Sequence, residues 1–497
     1  MPVQVVTAEE SAARDAAAIA GGVPARALMR AAAFNAASVV ADYCGARLSG
    51  GVTVFCGAGN NGGDGWALAG AFRRAGVAVS VREVAEARTE DARAERATLV
   101  ELMLNGPVTA AVIIDALVGT GSRGKLRGAA AVAAGEIEAA RARGATVVSL
   151  DLPSGVDANE GATDGCVNAD LTISFGAMKR GALVSRHACG EIVVVDIGID
   201  APHDSTPSLV DAGFVRKHIP RIAADAHKGT RKSVAIIAGG ENMGGAAIIA
   251  ATATLRSGAG LVQVITAPAN VTAVHTQIPE ALVAPLEKAY ATIENWADAV
   301  LIGPGLGTDP RTRDFIRDLV VRWRGPIVLD AGALSAFDGD SDALARSLRG
   351  RPAIITPHPG ELAGLLGCNI GDVLRARFDI GSELAKQIGA VVLLKGTPTV
   401  AFDTDGARFV SAAGTPVLAT GGSGDALSGI VATLLAQDCT PVIAAACAAW
   451  IHGRAGELTL GVRGHRLTDV LDHLPEAWRT DVTATAYPVL ARLPAVA

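Results

Sequence analysis

A chain of 497 residues is long enough for two to three domains of ordinary size, each with its own core. Half of its residues are hydrophobic and 19% are charged, which excludes an intrinsically disordered chain. A formal net charge of -6 argues against a nucleic acid or an anionic membrane surface as partner.

The opening "MPVQVVTAEESAARDAAA" has neither a basic start nor an apolar run, so no secretory signal is expected. Seven cysteines with no C-x-x-C pair fit reduced thiols packed as small core residues, and a cytoplasmic location is expected. The first well-marked strand is predicted at 52–56, "VTVFC", and a helix from Trp66, "WALAGAFRRAG", ending at Gly76. Between them, "GAGNNGGDG" is a glycine-rich turn of the kind whose backbone N–H groups cradle a phosphate. Gly57, Gly59 and Gly62 also satisfy the dinucleotide fingerprint G-x-G-x-x-G, with Glu83 available for a ribose on the next strand end. Asp64 is out of place beside a pyrophosphate. It is either a first-turn residue of the following helix or part of a pocket with other chemistry.

Further strands are predicted in "VAVSVREV", "AAVIIDAL", "ATVVSLDLPSG", "DLTISFG" and "GEIVVVDIG". Helical runs, "ARAERATLVELM" and "AAAVAAGEIEAARARG", separate them, which implies βα units on a mostly parallel, Rossmann-like sheet. Residues 200–220, "DAPHDSTPSLVDAGFVRKHIP", read as a linker. A second α/β series starts at "SVAIIAGG" and runs through "LVQVITAP", "AVLIGPGLG", "PIVLDAG", "AIITPHPGE" and "AVVLLKGTPTVAF" to "GGSGDALSGIVATLL". Its most apolar stretch, "MGGAAIIAATATLRSGAGLV", is cut by Arg256, so no membrane span is expected. The alanine-rich N-terminal helices suit a homo-oligomer as well as they suit an ordinary core.

Ligands of open parallel sheets sit at the carboxyl ends of the strands. Asn60, Asn61, Asp64, Asp115 and Asp151 all lie at strand ends of the first half, so three carboxylates and the amide oxygens could converge on one pocket. Such a set suits a hard cation or acid–base work better than naked phosphate. In order and spacing, "NNGGDG", "DALVGTG", "LDLPSGVD" and "FGAMKRG" resemble the NAD(P)H-hydrate epimerase domain, as does the opening "TAEESAARDAAAIAGGVPARALM". The resemblance implies an epimerase domain at 1–210 that interconverts the R and S forms of hydrated NADH and NADPH. By the same resemblance, Asn60, Asn61, Gly62, Gly63 and Asp64, and then Gly119, Thr120, Gly121, Ser122, Arg123, Gly124 and Lys125, contact the hydrated cofactor. Asp151 contacts it too and is the catalytic candidate, while Asn61, Asp115 and Ser154 ligate potassium. Loss and re-addition of water at C6 of the reduced ring, or ring opening, would each scramble the centre, and Asp151 could move the proton by either route.

In the second half, "TGGSGDALSGIVATLLAQ" places Asp425 at the mouth of an apolar helix behind glycines. That is either a simple cap or an anion hole with a base, as phosphoryl transfer to a hydroxyl requires. The arrangement resembles the ribokinase-like fold. Within it, "HKGTRKS", "GPGLG", "TPHPGE", "LKGTPTV" and "GGSGDALSG" are similar to the NAD(P)H-hydrate dehydratase family, which implies a domain at 215–497. The implied nucleotide site is Lys395, Gly396, Thr397, Pro398, Thr399 and Gly424, taking ADP with magnesium. The implied site for the hydrated cofactor is Ala246, Gly305, His358 and Asp425, with Asp425 the base that activates the C6 hydroxyl. Two departures from the family pattern are Gly332, which replaces a carboxylate in "DAGAL" and leaves Asp330 outside the expected catalytic set, and Met243 where an aromatic is expected. The competing readings are a ribokinase-like small-molecule kinase with a regulatory N-terminal domain, and a non-enzymatic binding scaffold.

Overall fold

Five β-branched runs of the first half, at 52–56, 112–116, 146–150, 171–175 and 191–195, are buried along almost their whole length, the condition for a parallel sheet covered on both faces by helices, and the run at 79–83 is half-buried. The computed structural model describes residues 2–121, 123–199, 206–294, 296–480 and 485–496. They divide into two units, Met1–Thr206 with Thr483–Ala497, and Pro207–Val482.

The first unit runs β1 (Val5–Val6), α1 (Ala8–Ala20), α2 (Ala25–Cys44), β2 (Val52–Cys56), α3 (Asn60–Arg74), β3 (Val79–Glu83), α4 (Glu90–Arg96), β4 (Val112–Ala116), α5 (Gly128–Ala142), β5 (Thr146–Leu150), β6 (Leu171–Phe175), β7 (Met178–Lys179) and β8 (Glu191–Val195). Six of these strands form a parallel sheet in the order β8-β6-β5-β4-β2-β3, while β1 pairs separately with β7. Alternation along the strands divides the core. Val54 and Ile114 face Val39, Trp66 and Phe72, whereas Phe55 and Ile113 face Ala133 and Ile137. Strand order reverses between β2 and β4, so a crevice opens at their carboxyl ends.

The glycine-rich stretch is helix rather than loop, because α3 begins at Asn60 and not at Trp66. A Cβ on Gly62 would stand 1.9 Å from the Gly57 carbonyl oxygen. The glycines therefore let the helix start press onto the ends of the strands, and tertiary contact outweighs their weak helix propensity. The helix expected through 92–103 stops at Arg96, and Val100–Leu102 form a separate 3-10 turn.

Much of the expected linker is also ordered. Ser208–Leu209 form β9 and Ala212–His218 form α6, capped by Asp211, whose side chain accepts the Phe214 N–H at 2.7 Å. Residues 200–205 of that stretch lie outside the described residues. There follow β10 (Ser233–Ile237), α7 (Gly244–Arg256), β11 (Leu261–Thr266), β12 (Leu282–Pro285), β13 (Ala299–Ile302), β14 (Ile327–Leu329), β15 (Ala353–Ile355), α8 (Pro359–Leu366), β16 (Val391–Leu394), β17 (Thr399–Phe402), β18 (Arg408–Ser411), α9 (Ser423–Ala436) and α10 (Pro441–Leu458). The sheet order is β9-β18-β17-β16-β15-β14-β13-β10-β11-β12, reversing between β10 and β13. Only the pairings of β17 with β16 and with β18 are antiparallel.

The chain then returns to the first unit. Val489–Leu493 form β19, antiparallel to β8, with Leu493 opposite Ile192 and Ala491 opposite Val194. The span 215–497 expected for the second domain is corrected at this end: a five-residue strand finds its burial in the sheet it joins, and Ala491 and Leu493 are buried there. Among the described residues no helix is long and apolar enough to cross a membrane.

Two candidate active sites

A cavity of about 620 Å³ lies at the β2/β4 crevice. Asn60, Asn61 and Asp64 reach it from α3, Gly119, Thr120 and Gly121 from the segment after β4, and Asp151 from the end of β5. Gly62 and Gly63 lie buried in α3 and serve its packing. Arg123 pairs with Glu9, and Lys125 Nζ reaches Asp164 at 2.6 Å; neither they nor Gly124 line the cavity. Ser122 lies outside the described residues. Glu83, which the dinucleotide reading needs for a ribose, is held by Arg96 at 2.5 and 2.9 Å.

Of the charged cavity residues, Lys179, Asp15 and Asp91 were not singled out from sequence. Lys179, 1% exposed, stands on β7, with its ammonium 2.5 Å from Asp151 Oδ1 and donating to the Phe175 carbonyl at 2.9 Å. Asp15 projects from α1. The pairing of β1 with β7, Val6 opposite Lys179, ties that helix to the lysine strand. Asp151 has φ +67°, a left-handed conformation that costs a non-glycine residue on the order of 1–3 kcal/mol and clusters at functional sites. Burial, then the nearby Asp151 and Asp15 carboxylates, push Asp64 well above the usual carboxylate range, against the pull of Lys179.

Beneath the cavity Asp115 is fully buried. Its Oδ1 accepts the Leu117 N–H at 3.2 Å and the Ser154 hydroxyl at 2.6 Å, and its Oδ2 accepts the Ser149 hydroxyl at 2.9 Å and the Ser154 N–H at 2.8 Å. Burial still raises its pKa, opposed by these hydrogen bonds and, among the described residues, by no cation. Among the described residues, both polar atoms of the buried Asn61 amide lack a hydrogen-bond partner. A Cβ on Gly119 would stand 3.3 Å from Asn61 Cβ and 3.4 Å from Asp151 Oδ2, so the amide and that carboxylate flank one glycine.

The second site lies at the β10/β13 crevice. Gly240 N–H donates to the Gly305 carbonyl at 2.8 Å, and a Cβ on Gly305 would stand 2.7 Å from Ala246 Cβ on α7. Met243, 56% exposed, adjoins them. Gly422, the N-cap of α9 at φ +88°, presses on Ile249 and so sets the positive end of α9 against α7, the helix that carries Ala246. Asp425 stands in its first turn. Burial and the Asp330 and Glu361 carboxylates raise its pKa to about 6, with Lys395 opposing.

Lys395 directly follows β16, its ammonium 2.7 Å from Asp330 Oδ1 and 3.8 Å from Glu361 Oε2. Burial disfavours its charge, but the two carboxylates prevail and raise its pKa. The ammonium is 3.2 Å from where a Gly424 side chain would begin. Gly396 to Thr399 complete the β16–β17 hairpin: Thr399 Oγ1 accepts the Gly396 N–H at 3.3 Å and donates to the Gly396 carbonyl at 2.9 Å, and Arg377 donates to the Thr397 carbonyl.

His358 caps α8, its Nδ1 accepting the Gly360 and Glu361 N–H groups at 3.0 and 3.2 Å, so the proton sits on the exposed Nε2. Asp330, set aside on sequence, is 1% exposed beside the candidate base, and its Oδ2 has no hydrogen-bond partner among the described residues. His452 on α10 was also missed. Its Nε2 is 3.3 Å from the Ser423 hydroxyl, and burial followed by Lys395 lowers its pKa to about 4, leaving it neutral.

Residues 234–476 match the family model described as NAD(P)H-hydrate dehydratase, and residues 25–181 that described as YjeF-related protein N-terminus. A bifunctional NAD(P)H-hydrate repair enzyme from Moorella thermoacetica is 36% identical, covering 86% of this chain and 87% of its own. The protein of the same name from Escherichia coli is 34% identical over 86% and 85%. Among solved structures, a ribokinase-like superfamily protein from Enterococcus faecalis aligns with TM-score 0.50 at 26% identity, covering 56% of this chain and 98% of its own. With two family models side by side and relatives matched over most of both lengths, the chain belongs to the family of bifunctional NAD(P)H-hydrate repair enzymes.

Proposed function

We propose that the first unit epimerises the R and S forms of hydrated NADH and NADPH, and that the second dehydrates the S form to NAD(P)H at the expense of ADP. Asp425, poised near pH 6 at the positive end of α9, carries this reading. Hydroxide leaves a saturated carbon poorly. Asp425 takes the proton of the C6 hydroxyl as its oxygen attacks the terminal phosphorus of ADP, and AMP departs; the ring nitrogen then expels the phosphate as a C=N bond forms, and loss of a C5 proton to water gives the C5=C6 double bond and returns the electron pair to nitrogen. Lys395, with Gly396 to Thr399 and the Gly424 amide, holds the nucleotide, while Ala246, Gly305 and His358 face the hydrated ring. Magnesium accompanying the ADP would be held by Asp330 and Glu361, and bound there it offsets charge on the transferring phosphoryl group; the unpartnered Asp330 Oδ2 fits that role.

In the first unit, Asn60, Asn61, Asp64 and Gly119 to Gly121 contact the hydrated cofactor, and Asp151 moves the proton. Potassium would be held by Asn61, Asp115 and Ser154, where it supplies fixed positive charge beside the pocket. An orphaned amide and a buried carboxylate without a protein cation fit it, and oxygen ligands suit a hard ion.

The test supplies mixed hydrates, ADP and magnesium and follows absorbance of the reduced nicotinamide together with inorganic phosphate. Both should rise in step. A phosphorylated product that accumulates would convert the second unit into a kinase. Asp425→Asn keeps the size of the side chain and should lower dehydration by roughly 10²–10⁴-fold while ADP still binds; near-parent turnover would remove Asp425 as the base.

A further inference from the structure

In the first unit's cavity one ammonium serves three carboxyl groups. Lys179 takes Asp151, at 2.5 Å. Asp64 from α3 and Asp15 from α1 line the same cavity and form no ion pair among the described residues. The other ionisable neighbours change this little: Asp91 is a fourth carboxyl on the wall, the Cys56 thiol lies behind Asp64, and Arg14, the weakest influence on Asp15, is turned to Gln4. Three carboxylates against one ammonium would leave an excess negative charge in a cavity also walled by Leu28, Met29 and Phe175. The least costly relief is a proton on a carboxyl without a cationic partner. Asp64 is the group that burial and both neighbouring carboxylates disfavour most as an anion.

We propose that Asp64 is the general acid and Asp151 the general base of the first unit's reaction, with Lys179 the positioning residue that assigns these roles. The proposal rests on the epimerase reading above. In the water-loss route, Asp64 gives its proton to the C6 hydroxyl as the C6–O bond breaks. The ring-nitrogen lone pair forms a C=N bond, and water departs. Water then adds to the opposite face of C6, one of its protons passes to the Asp151 carboxylate, and the C=N electron pair returns to nitrogen. One proton has left Asp64 and one has reached Asp151. The cycle closes when that proton returns through cavity water, or when the next turnover runs with the roles exchanged. Two carboxyls forced into opposite protonation states are the usual means of placing an acid and a base in one pocket.

The experiment follows R hydrate turning into S hydrate without ADP, as a function of pH, in the full chain. Asp64→Asn should lower the rate roughly 10²–10⁴-fold with little change in KM. Lys179→Met should displace the acid limb of the pH profile to higher pH, and Lys179→Arg should move it back toward the parent. An Asp64→Asn protein within about tenfold of the parent rate would overturn the proposal, as would a Lys179→Met rate lowered equally at every pH. A parent protein that leaves the R and S hydrates unchanged overturns the epimerase reading itself; a parent that interconverts them, with variants behaving in either contrary way, overturns only the division of roles.

Discussion

Asp425 can take a proton only when ionised, so its neighbours set the pH at which the second unit works. Its pKa of about 6 predicts that kcat/KM for S hydrate rises with pH through that value and falls about tenfold per unit below it. Asp330 is among the groups that raise it, so Asp330→Asn should move the acid limb to lower pH. Lys395 opposes them, so Lys395→Met, read at saturating ADP, should move it to higher pH. A limb that stays in place in both variants would show that another group titrates. The residues that matter here divide by how they can be found. Asn60, Asp151 and Asp425 follow strands or open a helix in quotable motifs, so position along the chain marks them. Asp330, Glu361, Lys179 and Asp15 acquire meaning only by standing beside another charge brought from a distant segment, as Lys395 meets Asp330 at 2.7 Å, and no local pattern encodes that meeting.

The strands were legible because β-branched runs of four to six residues between glycines and prolines have few alternatives. The start of α3 was not, since Gly62 and Gly63 signal a turn locally and become helix where the Gly57 backbone presses on the one and Met29 and Ala92 on the other. The same limit hid β19, whose partner β8 is nearly 300 residues away in the chain, with Leu493 opposite Ile192. That strand covers the edge of the first unit's sheet. Deleting residues 485–497 should uncover β8 and lose the burial of Ala491 and Leu493, a cost on the order of 2–4 kcal/mol. The first unit's thermal transition should fall, hydrogen exchange should quicken along Glu191–Val195, and the bared edge should favour aggregation. Unchanged exchange in β8 would mean that the strand contributes nothing to that edge. A fragment ending near residue 206 lacks β19 for the same reason, so the first unit is best isolated with the returning strand linked back to it.

At the scale of the whole molecule, the two units carry reactions that are useful in sequence. Hydration of the reduced ring yields both configurations at C6, a dehydratase with one stereochemical orientation consumes one of them, and an epimerase returns the remainder to the usable form. The catalytic candidates for the two steps lie in different units, Asp151 in the first and Asp425 in the second. The coupling is therefore chemical and can be cut at one end. Asp151→Asn keeps the shape and a hydrogen-bonding oxygen beside Lys179, whereas alanine would leave that buried ammonium with one hydrogen-bond partner among the described residues, the Phe175 carbonyl. With pure S hydrate, ADP and magnesium, the variant should restore the reduced cofactor at about the parent rate. With an R/S mixture it should run at that rate until the S form is spent and then slow to spontaneous epimerisation, while the parent proceeds through both portions without a break. A smooth course in the variant would take Asp151 out of the epimerisation. A variant slowed on pure S hydrate as well would mean that the two reactions are not carried by separate groups.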